Sequence, residues 1–275
     1  MSASDLWRDQ LAAWAIPDEI IAAAPESPYG FETECFRRRG EAAPPDREPT
    51  PTTRRALEAL PEGGTVLDVG VGGGGTSLPL AGRAGSIVGV DSQPDMLEGF
   101  QANAAAAGVS ARGVVGTWPE VAADVAPADV VVAGHVLYNI GDVRPFVRAL
   151  DAHALRRVVT ELTATHPLDW MRDLWLRFHG LERPSGPTAD DAVSVLRELG
   201  FRVSRDERTV EDHRGGGGFV RREDAIRTVR KRLCLPAERD PEIADALGDR
   251  LAPNGDLWDV GPREGTVVTL WWDAS

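Results

Sequence analysis

The chain has 275 residues, 42% of them hydrophobic and 27% charged, a composition typical of a globular protein with room for one large domain and insertions. Its formal net charge of −13 argues against nucleic acid or an anionic membrane as the main partner, because both require a positive surface. The first residues show no basic stretch followed by an apolar core, and no apolar run reaches the roughly 18 residues that a membrane span needs. We therefore expect a cytoplasmic protein with no membrane association.

Helical spacing of apolar residues predicts two short helices near the start of the chain, over residues 5–15 and 18–24. A proline-rich connector follows and leads into a further predicted helix over residues 53–60. We interpret residues 1–50 as an N-terminal helical cap and residues 51–275 as the main domain.

From residue 65 onward, strand patterns alternate with helix patterns. Strands are predicted over residues 65–70, 86–91, 111–117, 129–136, 156–163, 201–208 and 265–272, and helices over 76–83, 94–107, 143–150 and 189–199. Continuous β-branched strands joined by helices predict an α/β fold with a doubly wound, mostly parallel seven-stranded sheet. The last two strands lack a simple helical crossover, so we expect one antiparallel strand and an insertion over about residues 209–264.

A glycine-rich loop directly follows the first predicted strand. Gly70, Gly72 and Gly75 satisfy the GxGxxG pattern of dinucleotide-binding loops, and Asp91 ends the next strand. No Gly-Lys-Ser/Thr follows, which excludes a P-loop. Asp68 lies two residues before the first glycine, where a carboxylate would repel a pyrophosphate and attract an ammonium group.

S-adenosylmethionine carries such an ammonium group, together with a sulfonium and a ribose with two hydroxyls. Asp68 would bind the ammonium group, the glycines would let the backbone approach the cofactor closely, and Asp91 would accept hydrogen bonds from the ribose. The order of Asp68, Gly70, Gly72 and Gly74 therefore favours this cofactor. An NAD-binding oxidoreductase is the alternative.

The ordered motifs resemble those of the class I, Rossmann-like, S-adenosylmethionine-dependent methyltransferases. "VLDVGVGGGG" resembles the first motif of that family, "VGVDSQPDML" the second, and "DVVVAGHVLYNIGD" the fourth-strand motif. The resemblance implies that Asp91 holds the ribose and that Ser92 and Met96 border the adenine. Thr117 and Trp118 stand where the family usually has Gly-Asp, so their hydroxyl and ring are the expected adenine contacts.

Methyl transfer from a sulfonium mainly requires alignment of the reactants and exclusion of water. His135, directly after the fourth strand, is expected to touch the cofactor and to accept a proton from the acceptor. His166 and Tyr138 are further catalytic candidates, and Glu161 is a polar group at the end of the fifth strand. The plainer interpretation of each histidine is that it caps a helix or fills a polar gap.

The chain shows neither a carboxylate trio nor a zinc-type spacing around its two cysteines, Cys35 and Cys234, so we predict a metal-free mechanism. Asn139 does not begin the Asn-Pro-Pro-Tyr type of signature found in many amino-directed methyltransferases. We therefore expect a small-molecule acceptor. The alternatives are an RNA or protein methyltransferase that docks through the arginine-rich residues 220–233, or a catalytically inactive cofactor-binding partner subunit.

Overall fold

A twisted seven-stranded sheet forms the centre of the protein, whose computed structural model describes residues 1–30, 48–211 and 218–275. The strands of the described ranges are, in chain order from β1 to β9, Gly64–Val69, Ala84–Asp91, Ser110–Val115, Ala128–Gly134, Ala154–Thr163, Ser204–Glu211, Leu251–Asn254, Leu257–Val260 and Glu264–Asp273. Their α-helices, from α1 to α9, are Ala3–Ala12, Asp18–Ala23, Pro51–Ala59, Pro94–Ala106, Val143–Ala152, Arg172–His179, Ala189–Glu198, Arg222–Arg232 and Asp240–Leu247.

The sheet has the strand order β3-β2-β1-β4-β5-β9-β6. The first five strands in this order are parallel, whereas β9 runs antiparallel to both β5 and β6. The predicted α/β class, with a mostly parallel seven-stranded sheet and one antiparallel strand, is confirmed.

Helices cover both faces of the sheet, because successive side chains of each central strand point to opposite faces. In β4, Val131 belongs to the apolar core on one face, and Val130 and Val132 belong to the core on the other. Helices α1, α5 and α7 pack on the first face, and α3 and α4 pack on the second. This doubly wound arrangement leaves the carboxyl ends of the parallel strands as the place for a site.

The predicted helix over residues 76–83 is wrong. The structure has only a 3-10 turn there, Leu78–Leu80. Pro79 lacks the N–H that an α-helix would need, and Gly82 weakens a helix further. The glycine turn is therefore followed by a compact loop that returns directly to β2.

Helix α3 begins two residues earlier than predicted, at Pro51, which the sequence analysis placed in the connector. Proline is tolerated at the first helical position because the N–H there has no intrahelical partner. The Thr50 side chain caps this helix by accepting a hydrogen bond from the Thr53 N–H.

The C-terminal insertion, about residues 209–264, contains α8, α9 and the β7–β8 hairpin. These elements share a third apolar core with α6, and Ile16 and Ile20 from the N-terminal segment pack against it. Residues 31–47, with Cys35, and residues 212–217 lie outside the described residues. No helix within the described ranges is long and apolar enough to cross a membrane.

Candidate functional site

The candidate site lies where β1, β2, β4 and β5 present their carboxyl ends. The chain leaves β1 toward β2 on one side, while β4 pairs with β1 on the other. Such a change of direction opens a crevice at the sheet edge, where ligands bind in open α/β folds. Asp68, Asp91 and Glu161 lie near the ends of β1, β2 and β5, and His135 directly follows β4.

The glycine turn requires glycine for both conformation and space. Gly70, Gly72 and Gly74 have φ values of 73°, 50° and 90°, in the left-handed region that other residues rarely adopt. A Cβ on Gly70 would overlap Cγ1 of Val136, and one on Gly74 would lie 2.7 Å from Cδ1 of Leu78. The turn is therefore packed tightly against the segment that follows β4.

Asp68 is a buried carboxylic acid close to Ser77. Its side chain is about 1% exposed, and neither carboxylate oxygen has a partner of normal geometry in the described part of the chain. Burial raises the pKa of Asp68 to about 7, with Ser77 opposing the rise and the charge on Asp91 adding to it. Because an unpaired buried carboxylate is costly, this position favours a cationic ligand group as its partner.

Asp91 ties the glycine turn to the end of β2. Its Oδ2 accepts a hydrogen bond from the Gly72 N–H at 3.0 Å, and its Oδ1 accepts one from the Gln93 N–H at 3.0 Å. Each oxygen keeps a second lone pair, so the carboxylate can also accept from two ligand hydroxyls. Ser92 is exposed beside it, and Met96 is buried in the first turn of α4.

The two residues expected at the adenine have different environments. Thr117 is exposed at the end of β3, whereas Trp118 is buried. The Trp118 indole N–H donates to the carbonyl of Phe146 at 3.3 Å, and its ring lies 4.8 Å from the ring of His153 in an edge-on arrangement. This packing leaves little of the Trp118 ring for a purine, so Thr117 is the more accessible of the two.

His135 is held by Glu161 through both backbone and side chain. Its backbone N–H donates to the Glu161 carbonyl at 2.6 Å, and its Nε2 lies 3.1 Å from Glu161 Oε1. His135 has φ 59°, an uncommon conformation for a residue other than glycine. With about a third of its side chain exposed, it is the accessible member of the pair.

Glu161 also reaches residues that the sequence analysis missed. The Thr52 hydroxyl donates to Glu161 Oε2, and Thr52 and Thr269 share a hydrogen bond of 2.7 Å. Burial alone would raise the pKa of Glu161, but His135, Thr52 and the positive charge of Arg208 lower it to about 2. Glu161 is therefore a carboxylate at neutral pH. No local pattern in the sequence could have joined α3, β5 and β9 at this point.

Tyr138 and His166 lie in an aromatic stack that secures the N-terminal segment. The Tyr138 hydroxyl donates to the Thr163 carbonyl at 2.7 Å, and its ring stacks on Trp7 with centroids 5.6 Å apart. His166 stacks on Trp14 at 4.0 Å.

The surroundings of Tyr138 and His166 make them weaker acid–base candidates than His135. Burial, reinforced by the charge of Arg183, lowers the pKa of His166 to about 4, and burial raises the pKa of Tyr138. His166 is therefore neutral near pH 7, and Tyr138 keeps its proton. The environments of these two buried side chains differ from that of His135, which is about a third exposed.

Among the residues that the structure describes, no group of three or more His, Cys, Asp or Glu side chains is arranged to hold a metal ion. The metal-free mechanism stays a prediction.

Known proteins resemble this chain in part of its sequence and in its fold. Residues 66–156 match the family model of a methyltransferase domain. Over 94 residues, the chain is 39% identical to the ubiquinone biosynthesis O-methyltransferase of Azorhizobium caulinodans. This match covers 34% of the chain and 37% of the relative, so the chain spans little more than a third of the length of that curated protein.

Two solved structures share the fold across most of the chain. A methyltransferase from Thiobacillus denitrificans, crystallised with S-adenosylhomocysteine, has a TM-score of 0.50 and 16% identity over 86% of this chain and 97% of its own. A provisionally named methyltransferase from Bacillus halodurans has a TM-score of 0.52 and 14% identity over 82% and 98%. The chain therefore has the fold of the class I S-adenosylmethionine-dependent methyltransferases, and residues 66–156 are similar to a methyltransferase domain.

Proposed function

We propose that this protein is an S-adenosylmethionine-dependent methyltransferase that acts on a small-molecule acceptor. The observation that carries the proposal is the buried, unpartnered carboxylate of Asp68 beside a glycine turn. A cationic amino-acid group would satisfy both its charge and its empty hydrogen-bonding capacity, whereas a dinucleotide pyrophosphate would add repulsion.

The remaining residues of the site fit the rest of the same cofactor. The glycine turn offers close approach to the backbone, and the Asp91 carboxylate has lone pairs to spare for two ribose hydroxyls. Ser92, Met96 and Thr117 would border the adenine, with Trp118 supporting that wall from the core. When bound, the cofactor supplies a methyl group on a sulfonium, together with its own leaving group. The residues of the chain would align the acceptor with that methyl group and exclude water.

Several observations favour a small acceptor over RNA or protein. Two arginines of the arginine-rich helix α8 are paired with carboxylates: Arg230 pairs with Asp240 at 2.8 Å and with Glu26 at 3.2 Å, and Arg227 pairs with Glu26 at 3.0 Å. Paired arginines offer little free positive charge to a phosphate backbone. The curated relative is named for methylation in ubiquinone biosynthesis, which concerns a small molecule.

Isothermal calorimetry with S-adenosylhomocysteine and with NAD tests the proposed function directly. We expect binding of S-adenosylhomocysteine and none of NAD. Binding of NAD alone would establish the oxidoreductase alternative instead. Transfer of label from radioactive cofactor to a metabolite extract then separates an active enzyme from a cofactor-binding partner subunit, since the latter would bind without transferring.

A further inference from the structure

We infer that Glu161 positions His135 as the general base of the methyl-transfer reaction, and that the acceptor is accordingly a hydroxyl compound. The inference rests on the proposed function and deepens it. It assigns Glu161 as a positioning residue, since Glu161 acts through His135, and it names the chemical class of the acceptor.

The neighbours of His135 place it at the mouth of the glycine turn. A Cβ on Gly134 would overlap the Thr76 hydroxyl, and Val136 occupies the space beside Gly70. The residues on both sides of His135 are thus in contact with the loop expected to hold the cofactor. The His135 imidazole itself is about a third exposed and reaches Glu161 Oε1 at 3.1 Å.

The backbone conformation of His135 is fixed by hydrogen bonds with Glu161. His135 has a positive φ, a conformation that is unfavourable for a residue with a side chain and persists only where surrounding contacts fix it. Two hydrogen bonds to one residue, Glu161, provide that constraint here.

The environment of Glu161 determines which nitrogen of His135 is the base. Thr52 donates to one carboxylate oxygen, and the imidazole Nε2 faces the other. The hydrogen bond from His135, which follows β4, and the positive charge of Arg208 on β6 both favour the ionised form of Glu161. A carboxylate can only accept hydrogen bonds, so Nε2 carries a proton and Nδ1 keeps its lone pair. Nδ1 is therefore the atom that can receive a proton.

The resulting step is balanced. The acceptor O–H bond breaks and its proton moves to His135 Nδ1, while an oxygen lone pair forms the new O–CH₃ bond. The C–S bond of the sulfonium breaks, and its electron pair stays on sulfur. The imidazolium that forms lies opposite the Glu161 carboxylate, which stabilises the positive charge.

The pair of His135 and Glu161 favours a hydroxyl acceptor, because a general base removes the proton that an alcohol or phenol loses on methylation. An alcohol or phenol becomes a good nucleophile when its proton is removed during transfer. A thioether or a tertiary amine has no proton to lose, a neutral primary amine attacks through a lone pair that it already has, and a thiol ionises with a pKa of about 8.5, so each gains less from a positioned base than an alcohol or phenol does. A His135 base that Glu161 holds in place therefore favours methyl transfer to oxygen.

Glu161→Gln tests the assignment. The glutamine amide would donate to Nε2 and drive the imidazole proton onto Nδ1, which removes the base without changing the size of the side chain. Labelled methyl transfer is measured on a panel of phenols, amines and thiols that share ring scaffolds. We expect label only in the phenols and a loss of about 10²- to 10⁴-fold in Glu161→Gln and in His135→Gln.

Glu242→Gln makes the same chemical change on the exposed face of α9 and should transfer at the wild-type rate. Binding of S-adenosylhomocysteine by all three variants shows that each is folded, and its absence in the wild type would instead be a failure of the proposed function. With binding intact, label in the amines or thiols, an unlabelled panel, or wild-type transfer by Glu161→Gln would overturn the inference.

A second measurement does not depend on the acceptor. Nitrogen-15 NMR of the histidines, with the His135 signal identified by its loss in His135→Gln, reports which ring nitrogen carries the proton. We expect the Nε2–H form in the wild type above neutral pH and the Nδ1–H form in Glu161→Gln. An Nδ1–H form in the wild type, or the same form in both proteins, would refute the role of Glu161.

Discussion

Asp68 is the residue at which stability and function oppose each other. Its carboxyl group is buried without a partner, and its pKa of about 7 lies well above the ordinary value of 3.8. Between these two values the folded protein holds a proton that the unfolded chain has released. The free energy of unfolding therefore falls as pH rises from about 4 through 7, because over this range only the unfolded chain has released the proton of Asp68.

Asp68→Asn should remove this loss of stability. We expect the stability of the variant relative to the wild type to rise by on the order of 2–4 kcal/mol between pH 5 and pH 8. Urea denaturation at the two pH values measures the difference. The same variant should bind S-adenosylhomocysteine at least tenfold more weakly, since the ammonium group would lose its carboxylate. A variant that binds normally would contradict the assigned role of Asp68.

His166 should produce the opposite dependence on pH. Its pKa of about 4 lies below the ordinary 6.5, so the unfolded chain binds a proton that the folded protein rejects. The stability contributed by neutral His166 is complete above pH 6.5 and is lost as pH falls through 4. His166→Phe keeps the ring stacked on Trp14 but cannot titrate.

Relative to the wild type, His166→Phe should therefore gain about 1–3 kcal/mol between pH 7.5 and pH 4.5. Chemical denaturation at the two pH values gives this difference. Because His166 is assigned to packing here, its removal should leave binding of S-adenosylhomocysteine unchanged. Parallel stability curves for the two proteins would show that His166 is accessible to protons in the folded state.

At the scale of elements, the glycine turn is held against the segment after β4. Gly70→Ala introduces strain from a φ of 73° and also a clash with Val136. Gly108→Ala is a matched control, because Gly108 has a φ of 70° and a Cβ there would meet nothing within 4 Å. The difference between the two variants isolates the contact between the turn and Val136.

We expect Gly70→Ala to be less stable than Gly108→Ala by about 1–3 kcal/mol, measured by urea denaturation. Val136→Ala should recover part of that difference in the double variant, because the methyl group would then have room. If the two glycine variants lose the same stability, backbone strain alone accounts for the stability lost in Gly70→Ala, and the contact with Val136 adds nothing.

The elements show which parts of the fold the sequence could predict. The central strands were predictable because their β-branched runs are buried on both faces, as in β4. The helix over residues 76–83 was not, because one proline outweighed the usual strand–turn–helix order. At the site, Asp68 and Asp91 could be found from their spacing around the glycines. The link from Thr52 to Glu161 depends on tertiary packing between distant segments, for which the sequence carries no local signal.

At the scale of the whole molecule, the N-terminal segment is connected to the candidate site. Trp7, fully buried, lies in the core on the first face of the sheet and donates its indole N–H to the Ile140 carbonyl at 2.9 Å. Its ring also stacks on Tyr138. Both contacts fall on the segment that begins with His135. We propose that helix α1 supports the segment from His135 to Ile140 as well as covering one face of the sheet.

Trp7→Ala should therefore affect stability and catalysis together. Loss of a fully buried tryptophan costs about 3–5 kcal/mol, which denaturation in urea would measure. Leu6→Ala is the control on the same helix, since Leu6 is 41% exposed and its loss should cost well under 1 kcal/mol. Where Trp7→Ala is still folded, methyl transfer should fall more than binding of S-adenosylhomocysteine. The segment from His135 to Ile140 would lose its contacts with Trp7, whereas Asp68 and Asp91 make none with it. Equal losses of transfer and binding would mean that helix α1 stabilises the domain as a whole and has no particular effect on the segment from His135 to Ile140.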